Sequence, residues 1–106
     1  MRKVTESNYE EIVAGLAVVL NFGAAWCSTC KHLDPIIEEL SREKQGSVVM
    51  GKVDVEASPS VAAKLGVMGV PTVVFLREGN PVYQFTLTGA VSKAKLSRML
   101  AKHLGA

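Results

Sequence analysis

The segment AAWCSTCKHLDP, residues 24–35, holds both cysteines of the chain, Cys27 and Cys30. They stand three apart, between the apolar run AVVLNF (17–22) and a pattern with helical spacing. Such a pair can be a structural disulfide, part of a metal site, a haem attachment or a redox couple. Haem attachment requires C-x-x-C-H, and Lys31 follows Cys30. Zinc takes about four ligands, and beside the thiols the chain offers His32 and His103. No metal is therefore expected, although a site shared across a dimer stays open. Hydrophobic residues make up 48% of the 106 residues, enough for a core without covalent stapling. The opening MRKVTESNYEE has basic residues with no apolar stretch behind them, unlike a secretory leader. The expected location is thus cytoplasmic, where paired thiols tend to be catalytic or metal-binding rather than structural. The redox couple is favoured.

Outward from the cysteines, AVVLNF reads as a strand covered on both faces, because its apolar, β-branched residues do not alternate with polar ones. A helix is expected from about residue 27 to 43, with Leu33, Ile36, Ile37 and Leu40 inward and Lys31, Glu38, Glu39 and Arg42 outward. Pro35 lies inside it and predicts a kink. Upstream, SNYEEIVAGL (7–16) predicts a helix opened by a Ser7–Glu10 capping box, with Ile12, Val13 and Leu16 on one face. Downstream, SVVMGKVDV (47–55) predicts a strand and SPSVAAKLG (58–66) a short helix capped by Ser58, with Pro59 first and Gly66 last. TVVFL (72–76) predicts a buried strand, EGNP (78–81) a turn and the alternating VYQFTLT (82–88) a half-exposed strand. SKAKLSRMLAKHL (92–104) predicts an amphipathic helix burying Leu96, Met99, Leu100 and Leu104, and residues 2–5 add a short strand. This order implies a single α/β domain over residues 1–106. Its mixed sheet of four to five strands joins a parallel βαβ half to an antiparallel hairpin, with helices on both faces.

The formal net charge of +2, from 12 basic and 10 acidic residues spread along the chain, offers no basis for binding nucleic acid or an anionic membrane. No run of about 18 apolar residues is present to span a bilayer.

A cysteine at the start of a helix faces unpaired backbone N–H groups and the positive end of the helix dipole, which favour thiolate over thiol. Cys27 is the expected nucleophile. Its thiolate attacks a disulfide, a mixed disulfide forms, and Cys30, one turn further in, resolves it.

A buried strand VVLNF, then AAWC-x-x-CK, Pro35 five residues after the second cysteine, GVPT (69–72) entering a strand and Gly89 after a hairpin together resemble the thioredoxin family over essentially the whole chain. The resemblance implies the thioredoxin fold and a protein-disulfide reductase acting through a reversible Cys27–Cys30 couple. Trp26, Val70, Pro71 and Gly89 would shape the substrate groove, with Pro71 as the cis-proline. Local sequence by itself favours an ordinary trans bond there, since cis is found in only about 5–6% of X–Pro bonds. A Val70 backbone exposed by the turn would pair with an extended substrate segment. Lys52 falls where the family has a lysine on the strand beside the active site. The resemblance further implies no bound cofactor, disulfide-containing protein substrates, and a thioredoxin reductase drawing on NADPH as partner of a monomer. A more oxidising isomerase or oxidase, and a binding or chaperone module with incidental thiols, remain as alternatives.

Four residues depart from the family pattern. Ser28-Thr29 replaces the usual Gly-Pro between the cysteines, adding donors that favour the Cys27 thiolate and hence a more oxidising couple. Asn21 stands where a buried Asp commonly takes the proton of the inner thiol. It is expected to be a hydrogen-bonded core amide, so that Asn21→Asp lowers stability and quickens disulfide reduction. Gly23 replaces a bulky aromatic, loosening the floor of the site. His32 is expected to face solvent, His103 to suit the end of its helix, and the methionines to fill the core.

Overall fold

The computed structural model describes residues 1–106. The elements are β1 (Arg2–Val4), α1 (Tyr9–Val13), β2 (Ala17–Gly23), α2 (Ser28–Glu43), β3 (Val49–Asp54), α3 (Pro59–Lys64), β4 (Thr72–Arg77), β5 (Asn80–Thr86) and α4 (Lys93–Leu104). They form one five-stranded sheet in the order β1-β3-β2-β4-β5. β1, β3 and β2 run parallel, β4 is antiparallel to β2, and β5 is antiparallel to β4. The mixed sheet inferred from the alternation of patterns is the one observed.

Every residue of β2 is buried, as its unbroken apolar pattern required. Successive side chains of a strand point to opposite faces, so β2 feeds two cores. Val18, Leu20 and Phe22 pack with Tyr9, Ile12 and Val13 of α1 and Val61 of α3. Ala17 and Val19 pack with Leu33, Ile37 and Leu40 of α2 and Leu96, Leu100 and Leu104 of α4. By the same alternation Asn21 and Gly23 face the α2 side. Gly51 allows β1 and β3 to close up, because a side chain there would collide with Val4.

Several local expectations are overturned. α1 has no Ser7–Glu10 capping box: its N-cap is Asn8, without a side-chain cap bond. The Asn8 side chain instead accepts from the Thr5 N–H (2.7 Å) and donates to the Lys3 carbonyl (2.9 Å), tying the helix start to β1. Because α1 ends at Val13, Leu16 leaves the helical face and is exposed. Ser58 precedes α3 but is buried without a cap bond. The β4–β5 turn is tighter than EGNP: only Glu78 (φ 51°) and Gly79 (φ 84°) lie between the strands, and Asn80 already pairs with Arg77. Positive φ at both central residues gives the primed turn that suits hairpin twist. β5 is more exposed than half, because it is the sheet edge; of its residues only Phe85 is partly covered. Pro81 is tolerated there beside a register irregularity opposite Phe75 and Leu76. His103 does more than suit a helix end, stacking on Tyr83 with ring centroids 4.0 Å apart. Of the methionines, Met50 is a core residue, whereas Met68 is fully exposed.

Candidate active site

β2 delivers the chain to Ala24, whose carbonyl accepts the Cys27 N–H (3.2 Å), closing a turn that presents Trp26 outward. Cys27 is the N-cap of α2, not a member of its first turn, with extended backbone angles (φ −89°, ψ 109°). Its sulfur accepts the Cys30 N–H at 3.1 Å, so a cysteine sulfur does what Ser or Asp does at most helix starts. No acidic residue lies in the first turn of α2 to offset the helix dipole. Both features favour negative charge on Cys27 once the couple is reduced. Cys27 and Cys30 are joined as a disulfide, with Cα atoms 5.3 Å apart. Cys27 is 7% exposed and Cys30 2%, so Cys27 is the outer of the two by a narrow margin.

On the Cys27 side the surroundings are apolar. Val70 packs against Ala24, Cys27 and Cys30. The Val70–Pro71 peptide bond is cis, and Pro71 is buried. This segment is fixed by the Thr72 hydroxyl, which donates to the Gly69 carbonyl (2.6 Å), and by the Leu87 N–H, which donates to the Pro71 carbonyl (3.0 Å). Trp26 is 67% exposed and Met68 99%. Gly89 lines a small apolar cleft of about 120 Å³ together with Thr29 and His32 of α2. Ser28 is exposed, Thr29 half-buried and His32 exposed.

On the Cys30 side charged groups lie beside the apolar ones. A pocket of about 310 Å³ is lined by Gly23, Ala24, Ala25, Cys30, Lys31, Asp34, Lys52 and Asp54. Asn21 and Lys52 are register partners on β2 and β3. Their side chains converge on one carboxylate: Asn21 Nδ2 donates to Asp34 Oδ1 at 3.0 Å, and Lys52 Nζ pairs with Asp34 Oδ2. Asn21 is thus a hydrogen-bonded core amide on one atom only, since its buried Oδ1 has no partner in the protein. Cys30 and Lys52 approach Gly23 closely: a Cβ there would sit 3.3 Å from Cys30 Sγ and 3.8 Å from Lys52 Cε. Sequence reasoning singled out Asn21 and Lys52 but missed Asp34. The available signal was its place four residues after Cys30, on the same face of the helix. No group of three or more His, Cys, Asp or Glu side chains is arranged to hold a metal ion, and no helix is long and apolar enough to cross a membrane.

The thioredoxin family model matches residues 1–102. Thioredoxin of Staphylococcus haemolyticus is 38% identical over 102 residues, covering 96% of each chain. Thioredoxin of Staphylococcus saprophyticus is 36% identical over the same length and coverage. Among solved structures, a mutant thioredoxin of Halobacterium salinarum superimposes with a TM-score of 0.85 at 26% identity, covering 97% of this chain and 89% of that one.

Proposed function

This chain belongs to the thioredoxin family, and on that premise we propose that it is a cytoplasmic, monomeric, single-domain reductant of protein disulfides, re-reduced by a flavin-containing reductase at the expense of NADPH. That it is a thiol-disulfide oxidoreductase of the disulfide-reductase type follows from the relatives and the Cys27–Cys30 pair. Cys27 attacks the substrate disulfide and Cys30 resolves the resulting mixed disulfide. The observation that carries these roles is the Cys30 N–H donated to Cys27 Sγ at the start of α2, a bond that strengthens when the acceptor carries charge.

An extended substrate segment lies across Trp26, Val70 and Pro71 and pairs with the Val70 backbone, with Met68 widening that apolar shelf and Gly89 bordering the site beyond Thr29. The exposure of Trp26 and Met68 and the packing of Val70 on the cysteines support this placement. Ser28, Thr29, Asn21 and Lys52 tune the couple. The Ser28-Thr29 dipeptide supports a second reading, an isomerase or oxidant, because it keeps N–H groups at a place where the family pattern has proline.

The deciding experiment is equilibration of the couple in glutathione or dithiothreitol buffers, paired with insulin reduction. A potential near about −270 mV with brisk insulin reduction is expected of a reductant. A value near about −180 to −120 mV would instead assign it to isomerisation or oxidation. If Ser28→Gly with Thr29→Pro left the potential unmoved, the dipeptide would not be the cause.

A further inference from the structure

The resolving step has a proton to place. In the mixed disulfide, Cys30 is a thiol, and it must become a thiolate before its sulfur can attack Cys27. It is 2% exposed, so bulk water reaches it poorly. Asn21, on the strand beneath, cannot accept a proton in this range of acidity.

We propose that the carboxylate of Asp34 takes the Cys30 proton, through the pocket that both residues line. This rests on the assignment of Cys30 as the resolving thiol. Asp34 is one helical turn beyond Cys30 on α2, and both open into the 310 Å³ pocket between that helix and β3. The pocket has room for several water molecules, and the missing side chain of Gly23 leaves the way clear between the Cys30 sulfur and the Lys52 stem. Two donors hold the carboxylate in place, the Asn21 amide at 3.0 Å and the Lys52 ammonium. Asn21 Oδ1 is a buried acceptor without a partner in the protein, on the same strand face as Gly23. Asn21 therefore orients the base.

The step balances as follows. Asp34 gains the proton of Cys30; the Cys30 thiolate forms the bond to Cys27 Sγ; the bond between Cys27 and the substrate sulfur breaks; and the electron pair leaves on the substrate thiolate. That thiolate is then protonated by water or by the Asp34 carboxyl, restoring the carboxylate. Lys31 of α2 and Lys52 and Asp54 of β3 also line this pocket, and Glu38 of α2 with Met1, Arg2 and Lys3 lines an adjoining one that shares Lys52 and Asp54.

The test follows the reduced protein reacting with the aromatic disulfide DTNB in stopped flow. Attack by Cys27 releases the first thiolate, and resolution by Cys30 releases the second. Asp34→Asn should leave the first release unchanged and slow the second about 10- to 100-fold at neutral pH. The pH profile of the second release should move to the alkaline side, as for a thiol that must ionise into water. Asp34→Glu should retain part of the rate, and Asn21→Asp added to Asp34→Asn should restore it by returning a carboxylate to the pocket. A second release unaffected by Asp34→Asn would overturn the proposal. So would a slowing that is equal at every pH and not restored by the double variant, which marks a structural role. Loss of the profile's acid side in Asp54→Asn rather than in Asp34→Asn would overturn it as well. If the unaltered chain released no second thiolate, the assignment of Cys30 would fail too.

Discussion

The two sulfurs of one disulfide look out on different surroundings. Cys27 packs with Val70, the first residue of the cis Val70–Pro71 bond, and follows the exposed Trp26 in the chain. Around Cys30 lie Asn21, Lys52, Asp34 and Asp54. The division follows from helix geometry. The N-cap residue stands at the rim, where a partner's backbone can approach; a residue three positions further in faces the sheet. In the proposed roles the outer sulfur needs a surface on which a substrate can lie, and apolar groups would supply it without competing for the thiolate. The inner sulfur needs a place for a proton, which only polar groups provide. Separate side chains serve the two needs, so binding and resolution can be altered independently.

The largest effect should come from removing the asymmetry between the sulfurs. Cys27→Ser should abolish insulin reduction, whereas Cys30→Ser should still attack and accumulate a stable mixed disulfide, detectable by mass. Equal inertness of both variants would erase the distinction on which the comparison rests.

Next is Asn21→Asp, which sets a second carboxylate against Asp34, across a contact of 3.0 Å. Like charges disfavour joint ionisation, and the new carboxylate is desolvated. The variant should lose about 1–3 kcal/mol in urea denaturation at neutral pH. The loss should shrink on acidification, as one of the two carboxyls takes up a proton. The gain in rate expected from Asn21 alone does not follow if Asp34 already serves Cys30. A rate well above that of the unaltered chain would count against Asp34.

A smaller effect should separate the two sides. Trp26→Ala removes exposed apolar surface from the Cys27 side only. It should raise KM for a protein disulfide by about three- to tenfold, with the potential and the resolving rate unchanged. A shift in the potential of the couple would show that the two sides are not independent.

The smallest effect belongs to neither side. Lys93 on α4 bridges Glu39 and Glu43 of α2. Its hydrogen bond holds the Glu39 carboxyl below the usual range, and the two carboxylates hold the Lys93 ammonium above its own. The Glu39 contribution is therefore present at neutral pH and fades as pH falls through its lowered value. The Lys93 contribution is present at neutral pH and fades as pH rises through its raised value. Because the groups are exposed, Lys93→Ala should lower Tm slightly at neutral pH and not at all at either extreme or in high salt. The potential should not move.

Much of this was legible in the order of residues. A strand with no polar alternation must lie inside a sheet, so AVVLNF placed β2 at the centre. Its helix-patterned neighbour put Cys27 and Cys30 at a helix start, and hence near the sheet's end. Local patterns failed wherever a neighbouring element, or the lack of one, decided the outcome. The capping box gave way to Asn8 bonding Lys3 and Thr5, and the alternation of β5 misjudged its burial because no strand lies beyond it. Asp34 was hidden for the same reason. In sequence it is one carboxylate on a charged helix, between His32 and Pro35.

The sequence by itself determined the order of elements, the two thiols and their spacing, because hydrophobic period and helix-start chemistry are local properties of the chain. Only the tertiary structure decided what each thiol faces. Asn21, Asp34 and Lys52 come from three elements, and their meeting depends on how α2 lies across β2 and β3, which no local pattern records.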